Sequence, residues 1–267
     1  MSKILVFIPC YRCAAQVVRV IDQFDDEVQS LIDTVVVVDN QSPDDTLATA
    51  IEAGKNKLNK CNFIAWKNVD NYGLGGSHKA AFCYALENNF DYLVVLHGDD
   101  QADIRDLKPH LQSGEYKNHD CFMGARFMPG SQLKGYSTFR TFGNHVYNLL
   151  FSIPVLRRVY DLGSGLNMYK LEAFKEFYYK TFPDDLTFNY MMLMGSYNRK
   201  QSVKFFPITW REEDQVSNVR LFRQATRVLS LLTGYFFGRR RFLQTEMRAK
   251  AFEEYRGEIQ HQQAPAP

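Results

Sequence analysis

Residues 4–8 (ILVFI), 34–38 (TVVVV) and 92–96 (YLVVL) are three short runs of apolar, largely β-branched residues. Continuous apolar runs of this length are typical of parallel strands that are buried on both faces of a sheet. A fourth strand is predicted at Phe63–Trp66. Amphipathic patterns that predict helices lie between the strands, near residues 14–24, 45–58 and 77–88. This alternation predicts an α/β fold with a mostly parallel, doubly wound sheet that is flanked by helices.

The second half of the sequence is less regular than the first. Its patterns predict helices at Thr138–Ile153 and Leu186–Asn198, and strands at Gly165–Tyr169 and Val203–Ile208. A long helix that is both basic and rich in apolar residues is predicted from Val219 to about Phe237.

The composition is that of an ordinary globular protein, with 45% hydrophobic and 23% charged residues in 267. A net charge of +2 gives no basis for nucleic-acid binding. The cysteine count of five is odd, and no signal-peptide pattern precedes the first strand, so we expect free thiols in a reducing cytoplasm. No apolar run reaches the length of about 18 residues that a transmembrane helix needs. We therefore expect a soluble protein, or one peripheral to the cytoplasmic face of the inner membrane.

Polar clusters follow all four predicted strands of the first half. They are residues 9–12 (PCYR), 39–46 (DNQSPDDT), 71–76 (NYGLGG) and 97–101 (HGDDQ). Each cluster alone is weak, because a lone glycine-rich segment is more often a turn and a loop carboxylate pair is more often solvated. Ligands of open α/β sheets, however, bind at the carboxyl ends of the strands, where these clusters would meet. The four together predict a ligand site at this edge.

The segments IPCY, VVDNQSPDDT, NYGLGG, LHGDDQ, GARF and DLGSGLNMYK occur in this order over roughly residues 3–220. In order and spacing the series resembles the family 2 glycosyltransferases, and within them the branch of dolichyl- and polyprenyl-phosphate sugar synthases. The resemblance implies a Rossmann-like GT-A fold and inverting transfer of a sugar from a nucleotide diphosphate sugar. It also implies a Mg²⁺ or Mn²⁺ ion on the diphosphate.

On this resemblance we predict a catalytic domain at residues 1–218, with a donor half at about 1–127 and an acceptor half at about 128–218. A basic, amphipathic helical extension is predicted at 219–257. The tail at 258–267 is polar and contains prolines, so it is predicted to be disordered.

The family's metal motif, Asp-x-Asp after the fourth strand, has its counterpart at residues 97–99. Asp99 takes the second Asp position and is the predicted metal ligand, with Asp100 as a helper. Carboxylate oxygens suit Mg²⁺ or Mn²⁺, which need only one or two protein carboxylates besides phosphate oxygens. His97 stands at the first Asp, a departure that makes it a candidate contact of the nucleotide instead. The alternative is a solvated Asp-Asp turn that caps the following helix.

Other residues are assigned to the nucleotide through the same resemblance. Cys13 stands where an acidic residue is common, so the base specificity is not inherited. Asp39 has strand-end turn chemistry as its alternative, and Lys79, a candidate phosphate ligand, has a solvated lysine as its alternative. The predicted nucleotide-binding set is Pro9, Tyr11, Asp39, Gly73, Gly75, Gly76, Lys79, His97, Gly98 and Gln101.

The predicted catalytic residues lie in the second half. Arg126 of GARF matches a family arginine near the donor or acceptor phosphate, and Arg140 is its candidate partner. A lipid-phosphate acceptor needs no general base, because its second pKa is about 6. A sugar hydroxyl needs one, for which Asp161 is the first candidate and Asp214 the second. Asp214 belongs to a charged loop, WREEDQVS, whose alternative reading is a solvated charge run.

Residues 219–243 contain six arginines, interleaved with apolar residues, and no acidic residue. This pattern predicts a helix that lies on an anionic membrane surface, which fits a lipid-linked acceptor. A core-packing helix with a solvated basic face is the alternative. The oligomeric state is not predicted.

Two other classes of function stay open. A non-catalytic nucleotide-sugar-binding scaffold is suggested by His97 and Cys13 at positions that are usually acidic. A redox protein is suggested by Cys10 and Cys13, which form a CxxC pattern where a strand meets a helix.

Overall fold

The computed structural model describes residues 2–212 and 221–266. The first half alternates strands and helices: β1 (Ile4–Cys10), α1 (Ala14–Asp22), α2 (Asp26–Ser30), β2 (Thr34–Asp39), α3 (Thr46–Lys57), β3 (Asn62–Asn68), α4 (Gly73–Glu87), β4 (Tyr92–Leu96), α5 (Lys108–Ser113) and β5 (Cys121–Ala125). The second half contains β6 (Gln132–Lys134), α6 (Thr138–Val155), β7 (Leu166–Lys170), α7 (Phe188–Asn198), β8 (Val203–Pro207), β9 (Thr209–Arg211), α8 (Leu221–Leu243) and β10 (Gly257–Gln263).

Within the described ranges, eight strands form one sheet in the order β10-β3-β2-β1-β4-β7-β5-β8. The strands β3, β2, β1 and β4 run parallel to one another. β7 runs antiparallel between β4 and β5, and β8 runs parallel to β5. This mostly parallel sheet, flanked by helices, confirms the predicted fold class.

The valine-rich strand β2 shows why the sheet has a core on each face. Val36 and Val38 belong to one buried cluster, and Val35 and Val37 belong to the other. Successive side chains of a strand point to opposite faces, so a strand between two helical layers must be apolar at every position. The four strands and three helices predicted in the first half are confirmed, with bounds that differ by a few residues.

The predicted disorder of residues 258–267 is wrong for most of that segment. Residues 257–263 form β10, which pairs antiparallel with β3. An uncovered β3 edge would leave backbone N–H and C=O groups unpaired, and β10 pairs with them. Gly257 permits close approach to Trp66, since a Cβ there would lie 1.4 Å from the indole Nε1. The sequence GEIQHQQ carries no strong strand signal, which explains the error.

The predicted C-terminal helical extension is found as α8, which ends at Leu243 rather than near 257. Val228, Leu231 and Tyr235 of α8 are buried in the same core as α7. The core-packing reading of this helix therefore holds for one of its faces. None of the described helices is both long enough and apolar enough to span a bilayer.

Candidate active site

The carboxyl ends of β1, β2 and β4 meet at one edge of the sheet, as the strand-end clusters predicted. Cys10 is the register partner of Asp39, and the Gly98 amide donates to the Pro9 carbonyl at 3.1 Å. A Cβ at Gly98 would lie 2.5 Å from the Cys10 sulfur. Glycine is therefore required here for the β4 loop to approach β1 this closely.

Asp99 follows β4 and is partly exposed at this edge. Its Oδ1 accepts a hydrogen bond of 3.3 Å from the Gln101 amide. Burial raises the pKa of Asp99 to about 6, and the neighbouring Asp100 carboxylate adds to the rise. No lysine or arginine forms an ion pair with Asp99 among the described residues. A carboxylate in this state is available to a cation that would stabilise its charged form.

The Asp100 carboxylate is bonded to other side chains of the protein, and its role as a helper of the metal ligand stays a prediction. Its Oδ2 accepts from Arg19 Nε at 2.7 Å, and its Oδ1 accepts from Gln23 Nε2 at 2.9 Å. Both donors lie on or directly after α1, and Asp100 is 3% exposed. A buried carboxylate must be paired, and these bonds tie the β4 loop to α1.

His97 lies behind Asp99, against the ring of His78 and the backbone of Gly165. Burial and the positive charge of Arg126 lower the pKa of His97 to about 4, so the imidazole is neutral. Its Nε2 is buried and has no hydrogen-bond partner among the described residues. His97 therefore cannot supply the negative charge of the aspartate it replaces, and its contact with the nucleotide stays a prediction.

The donor set at this edge fits a cation that is held mainly by substrate oxygens. Within the described ranges, no group of three or more His, Cys, Asp or Glu side chains could hold a metal ion. Mg²⁺ commonly binds through one or two carboxylates together with phosphate oxygens and waters. Asp99 supplies one such carboxylate, so the fit is to a nucleotide-bound ion.

Two further predicted nucleotide contacts, Tyr11 and Asp39, lie after the carboxyl end of β1 and at the end of β2. Tyr11 is 41% exposed, and its ring lies beneath the Arg12 guanidinium at 5.3 Å. Asp39 is buried, and its two oxygens lie 3.3 and 3.2 Å from the Ser42 amide. The turn chemistry proposed as the alternative for Asp39 is therefore present, and its role towards a base or ribose stays a prediction.

A network of asparagine side chains beside Asp39 was missed by the sequence analysis. Asn40 Nδ2 donates to Asn71 Oδ1 at 2.9 Å, and Asn68 Nδ2 donates to Asn40 Oδ1 at 2.9 Å. Asn68 Nδ2 also donates to Ser77 Oγ on α4 at 2.9 Å. The network fixes the loops after β2 and β3. Its signal was an amide residue at or just after the end of each strand.

The glycines before and within α4 approach the protein's own backbone. The amide of Gly75 donates to the Asp184 carbonyl at 2.7 Å. A Cβ would lie 2.4 Å from that carbonyl if built on Gly73, and 2.3 Å from the Pro183 carbonyl if built on Gly75. Gly76 packs against Tyr72 and Tyr255. Glycine is required at these positions by the close packing of α4, and the nucleotide role of the three glycines stays a prediction.

Lys79 is engaged within the protein, and its contact with a phosphate stays a prediction. Its side chain is fully buried, and Nζ donates to Asp184 Oδ1 at 2.7 Å and to the Phe182 carbonyl at 2.6 Å. Burial lowers the pKa of Lys79, and the Asp184 carboxylate opposes the fall. Asp184, which the sequence analysis missed, also accepts from the Tyr255 hydroxyl at 2.8 Å. It therefore joins α4 to the C-terminal segment.

Arg126 and Asp161 form a buried, bidentate ion pair. Arg126 Nε donates to Oδ2 at 2.7 Å and Nη2 donates to Oδ1 at 2.8 Å, while the Arg126 amide adds a bond of 2.9 Å. The guanidinium also lies 4.6 Å from the centre of the Trp210 ring. Both carboxylate oxygens accept hydrogen bonds from Arg126, so Asp161 holds the guanidinium in place. Its role as a general base stays a prediction.

Arg140, on α6, does not share a partner with Arg126. Its Nη1 forms an ion pair of 2.7 Å with Glu212 Oε2, and its guanidinium lies 4.5 Å from the centre of the Tyr136 ring. The Tyr136 ring also lies 5.8 Å from the ring of Phe127, the residue after Arg126. The other base candidate, Asp214, lies outside the described residues.

The cysteine pair after β1 does not have the character of a redox site. Cys10 and Cys13 are both free thiols and are buried. A hydrogen bond with Cys13, together with burial, raises the pKa of Cys10 well above its usual value. Reactive CxxC pairs have a lowered pKa, so the environment argues against the redox alternative.

A mostly parallel sheet, polar groups at its carboxyl edge and an unpaired carboxylate after the fourth strand define a GT-A type of fold and site. Residues 5–178 match the model of Glycosyl transferase family 2, and the chain belongs to that family. It is a glycosyltransferase. The predicted family is thereby confirmed.

The similarity extends to one curated relative and to solved structures. The chain is 24% identical to an undecaprenyl-phosphate mannosyltransferase of Micrococcus luteus over 173 aligned residues. The aligned region covers 65% of this chain and 68% of the relative. Glucosyl-3-phosphoglycerate synthase of Mycobacterium tuberculosis, crystallised with UDP, matches with a TM-score of 0.60 and 16% identity over 87% of this chain and 79% of that one. Its complex with Mn²⁺, UDP-glucose and phosphoglyceric acid gives 0.61 and 17% over 88% and 79%. These likenesses confirm the GT-A fold.

Proposed function

We propose that the chain is an inverting, metal-dependent glycosyltransferase. It transfers a sugar from a UDP- or GDP-sugar to a lipid-linked acceptor, such as a polyprenyl phosphate or a lipid-linked saccharide. The acceptor class is supported by the name of the M. luteus relative. The donor class is supported by the UDP-glucose complex of the structural neighbour.

The observation that carries this proposal is the Asp99 carboxylate, which is unpaired at the strand edge. When bound there, Mg²⁺ or Mn²⁺ supplies a positive charge that offsets the charge developing on the departing diphosphate. Asp99 holds the cation at the end of β4, while Asp100 keeps the loop in place through Arg19 and Gln23. Asp99 acts by electrostatic stabilisation, so no proton transfer is assigned to it.

Tyr11, Pro9 and Asp39 form the proposed base and ribose end of the donor site. The exposed Tyr11 ring offers a face on which a nucleobase can pack. The asparagine network holds the loop after β2 in place. A loop that is already ordered loses less conformational entropy when the nucleotide sugar binds.

Arg126 is proposed to bind the acceptor phosphate or the donor diphosphate. Nε and Nη2 of Arg126 donate to Asp161, and no described residue accepts a hydrogen bond from its Nη1. Asp161 and Trp210 hold the guanidinium in place. An anionic phosphate oxygen can therefore bind to a hydrogen-bond donor, Nη1, whose position is already fixed. The engagement of Asp161 by Arg126 favours a phosphate acceptor, which is already ionised near neutral pH and needs no base.

The test is sugar transfer from radiolabelled UDP- and GDP-sugars to polyprenyl phosphate, with Mn²⁺ or Mg²⁺ and after treatment with a chelator. We expect a lipid-linked product with one donor, loss of turnover with the chelator, and recovery when the metal is restored. Transfer that persists at full rate in the chelator would contradict the metal dependence. Failure with every donor would contradict the acceptor class.

A non-catalytic nucleotide-sugar-binding scaffold is the second candidate. It is favoured by the neutral His97 and the engaged Asp100, which leave one acidic ligand where the family motif has two. Tight binding of a nucleotide, measured by calorimetry, without transfer or slow donor hydrolysis would support the scaffold instead of the enzyme.

A further inference from the structure

The outer face of α6 carries an unbroken apolar stripe that points to solvent. Its side chains are 40% to 82% exposed, and they occur alternately three and four residues apart: Phe139, Phe142, Val146, Leu149, Ile153 and Leu156. At 3.6 residues per turn the first five, which lie within α6, fall within an arc of about 80°. Leu156 is the residue in left-handed conformation that directly follows the helix. A stripe of this width normally faces the core of a globular protein.

The opposite face of α6 is already packed, so the stripe is not a misassigned core face. Asn148, Phe151 and Pro154 are buried, and Asn148 Nδ2 donates to the Tyr160 carbonyl at 2.6 Å. The helix therefore has an apolar outer face where a surface helix ordinarily carries charge. Exposed apolar patches of this kind mark sites of interaction.

Helix α8 continues the exposed apolar surface. Arg239 Nη2 donates to the Pro154 carbonyl at 2.5 Å and ties α8 to the end of α6. Phe236 and Phe237, just before it, are 60% and 82% exposed. Large aromatic residues on an exposed helix face are typical of membrane-interface helices.

The charges beside the stripe decide what covers it. Arg157 and Arg158, directly after Leu156, are exposed, and so are Arg240 and Arg241 on α8. Residues 138–158 and 221–243 contain no aspartate or glutamate. Such a basic, apolar surface is complementary to a surface that is anionic with an apolar layer beneath it.

A second copy of the chain matches this surface less well. A two-fold interface brings the same patch of both copies together, and neither α6 nor α8 offers a carboxylate to neutralise the other copy's arginines. Anionic lipid headgroups supply that charge, and the bilayer edge accepts the apolar side chains.

We infer that the stripe of α6, with Phe236 and Phe237 of α8, docks this protein on an anionic lipid bilayer. The sequence-based prediction of a membrane surface placed it on residues 219–243 alone, whereas the principal contact is α6. The biological purpose of the docking rests on the proposed lipid-linked acceptor.

The experiment is flotation of the full chain with vesicles of phosphatidylcholine and phosphatidylglycerol, without donor, acceptor or metal. We expect the wild type to float with these vesicles and to stay at the bottom with phosphatidylcholine alone. The variant F142E/L149E should lower the vesicle-bound fraction by roughly tenfold or more, because it removes apolar area from the contact. The variant R240Q/R241Q should weaken binding only to the anionic vesicles.

Ile259→Glu is the matched control, since Ile259 is 49% exposed and lies on β10, away from α6. It should float like the wild type. Circular dichroism melting of each variant separates lost binding from lost folding. The inference is overturned if F142E/L149E is folded and floats as well as the wild type, or if the wild type does not float. Light scattering tests whether a second copy covers the stripe instead. If the wild type is a dimer that does not bind vesicles, and F142E/L149E is a monomer, the inference is overturned in favour of a dimer interface.

Failure of docking and failure of the proposed function are distinguishable. Transfer to a short-chain, water-soluble prenyl phosphate does not need a bilayer, so F142E/L149E should retain it. Loss of flotation with retained transfer supports both proposals, whereas absent transfer with normal flotation contradicts only the enzyme.

Discussion

The strand-end edge and the outer face of α6 both carry groups that lack an internal partner, but of opposite kinds. At the edge, Asp39, Asn40 and Asp100 are all hydrogen-bonded, whereas Asp99 accepts only a weak bond from a backbone amide. On α6, the unsatisfied groups are apolar and face water. Folded chains satisfy buried polar groups and hide large apolar patches. Each exception is therefore the place where we propose that a ligand or surface from outside the chain binds.

The largest effect is expected at the edge, from Asp99→Ala. Turnover should fall by roughly 10²–10³-fold or more, because a principal electrostatic stabiliser is lost. The measurement is initial rate at saturating donor and Mn²⁺. Asp22→Ala, at an exposed position of α1, is the control and should retain full activity. Near-normal turnover of the Asp99 variant would contradict the proposal that this carboxylate binds the cation.

A second test separates positioning from proton transfer at Asp161. Asp161→Asn should lower the free energy of unfolding by about 3 kcal/mol, because Arg126 loses its buried partner. Turnover should fall while the pH–rate profile keeps its shape. The checks are chemical denaturation and rates across pH. A lost limb of the profile, with normal stability, would support Asp161 as a base.

The edge could be predicted from sequence because apolar runs and the polar residues after them are adjacent in the chain. The runs Ile4–Ile8 and Tyr92–Leu96 indicate where two strands end, and the family's metal motif after the fourth strand then singled out Asp99. The contacts that the loops make in space could not be predicted in this way. Asp184 is far along the chain from Gly75 and Lys79, and no local pattern predicts that it occupies both.

The second half was harder to predict for the same physical reason. Asp161 was found as a family position, but its bidentate bond to Arg126 depends on the packing of two distant segments. β5 (CFMGA) is too short and too mixed to stand out as a strand, and β10 forms only because the β3 edge is present. The stripe of α6 has a helical pattern in sequence, but only the packing shows that it faces water.

A smaller effect is expected from Lys79→Met, which tests whether α4 serves the fold or the donor. Asp184 would lose one of its donors, and the free energy of unfolding should fall by about 1–3 kcal/mol. The KM for the donor should stay unchanged, since Lys79 is enclosed by Asp184 and Tyr255. The measurements are thermal denaturation and donor titration. A raised KM for the donor with unchanged stability would instead support binding of a donor phosphate by Lys79.

The smallest effect is expected at the cysteine pair. Cys13→Ser should leave transfer unchanged, and adding or removing a reductant should have no effect, because both thiols are buried and the pKa of Cys10 is raised well above its usual value. Transfer assays with and without dithiothreitol check this. A rate that follows the redox state would revive the CxxC interpretation.

The most direct test of whether Asp99 holds the cation is to measure Mn²⁺ binding by electron paramagnetic resonance, in the presence and in the absence of UDP or GDP. The wild type should bind Mn²⁺ only together with one of the nucleotides, because Asp99 supplies one protein ligand and the diphosphate supplies others. Asp99→Asn should abolish that nucleotide-dependent signal. Equal Mn²⁺ binding by the Asp99→Asn variant and the wild type would contradict the claim that this carboxylate holds the cation.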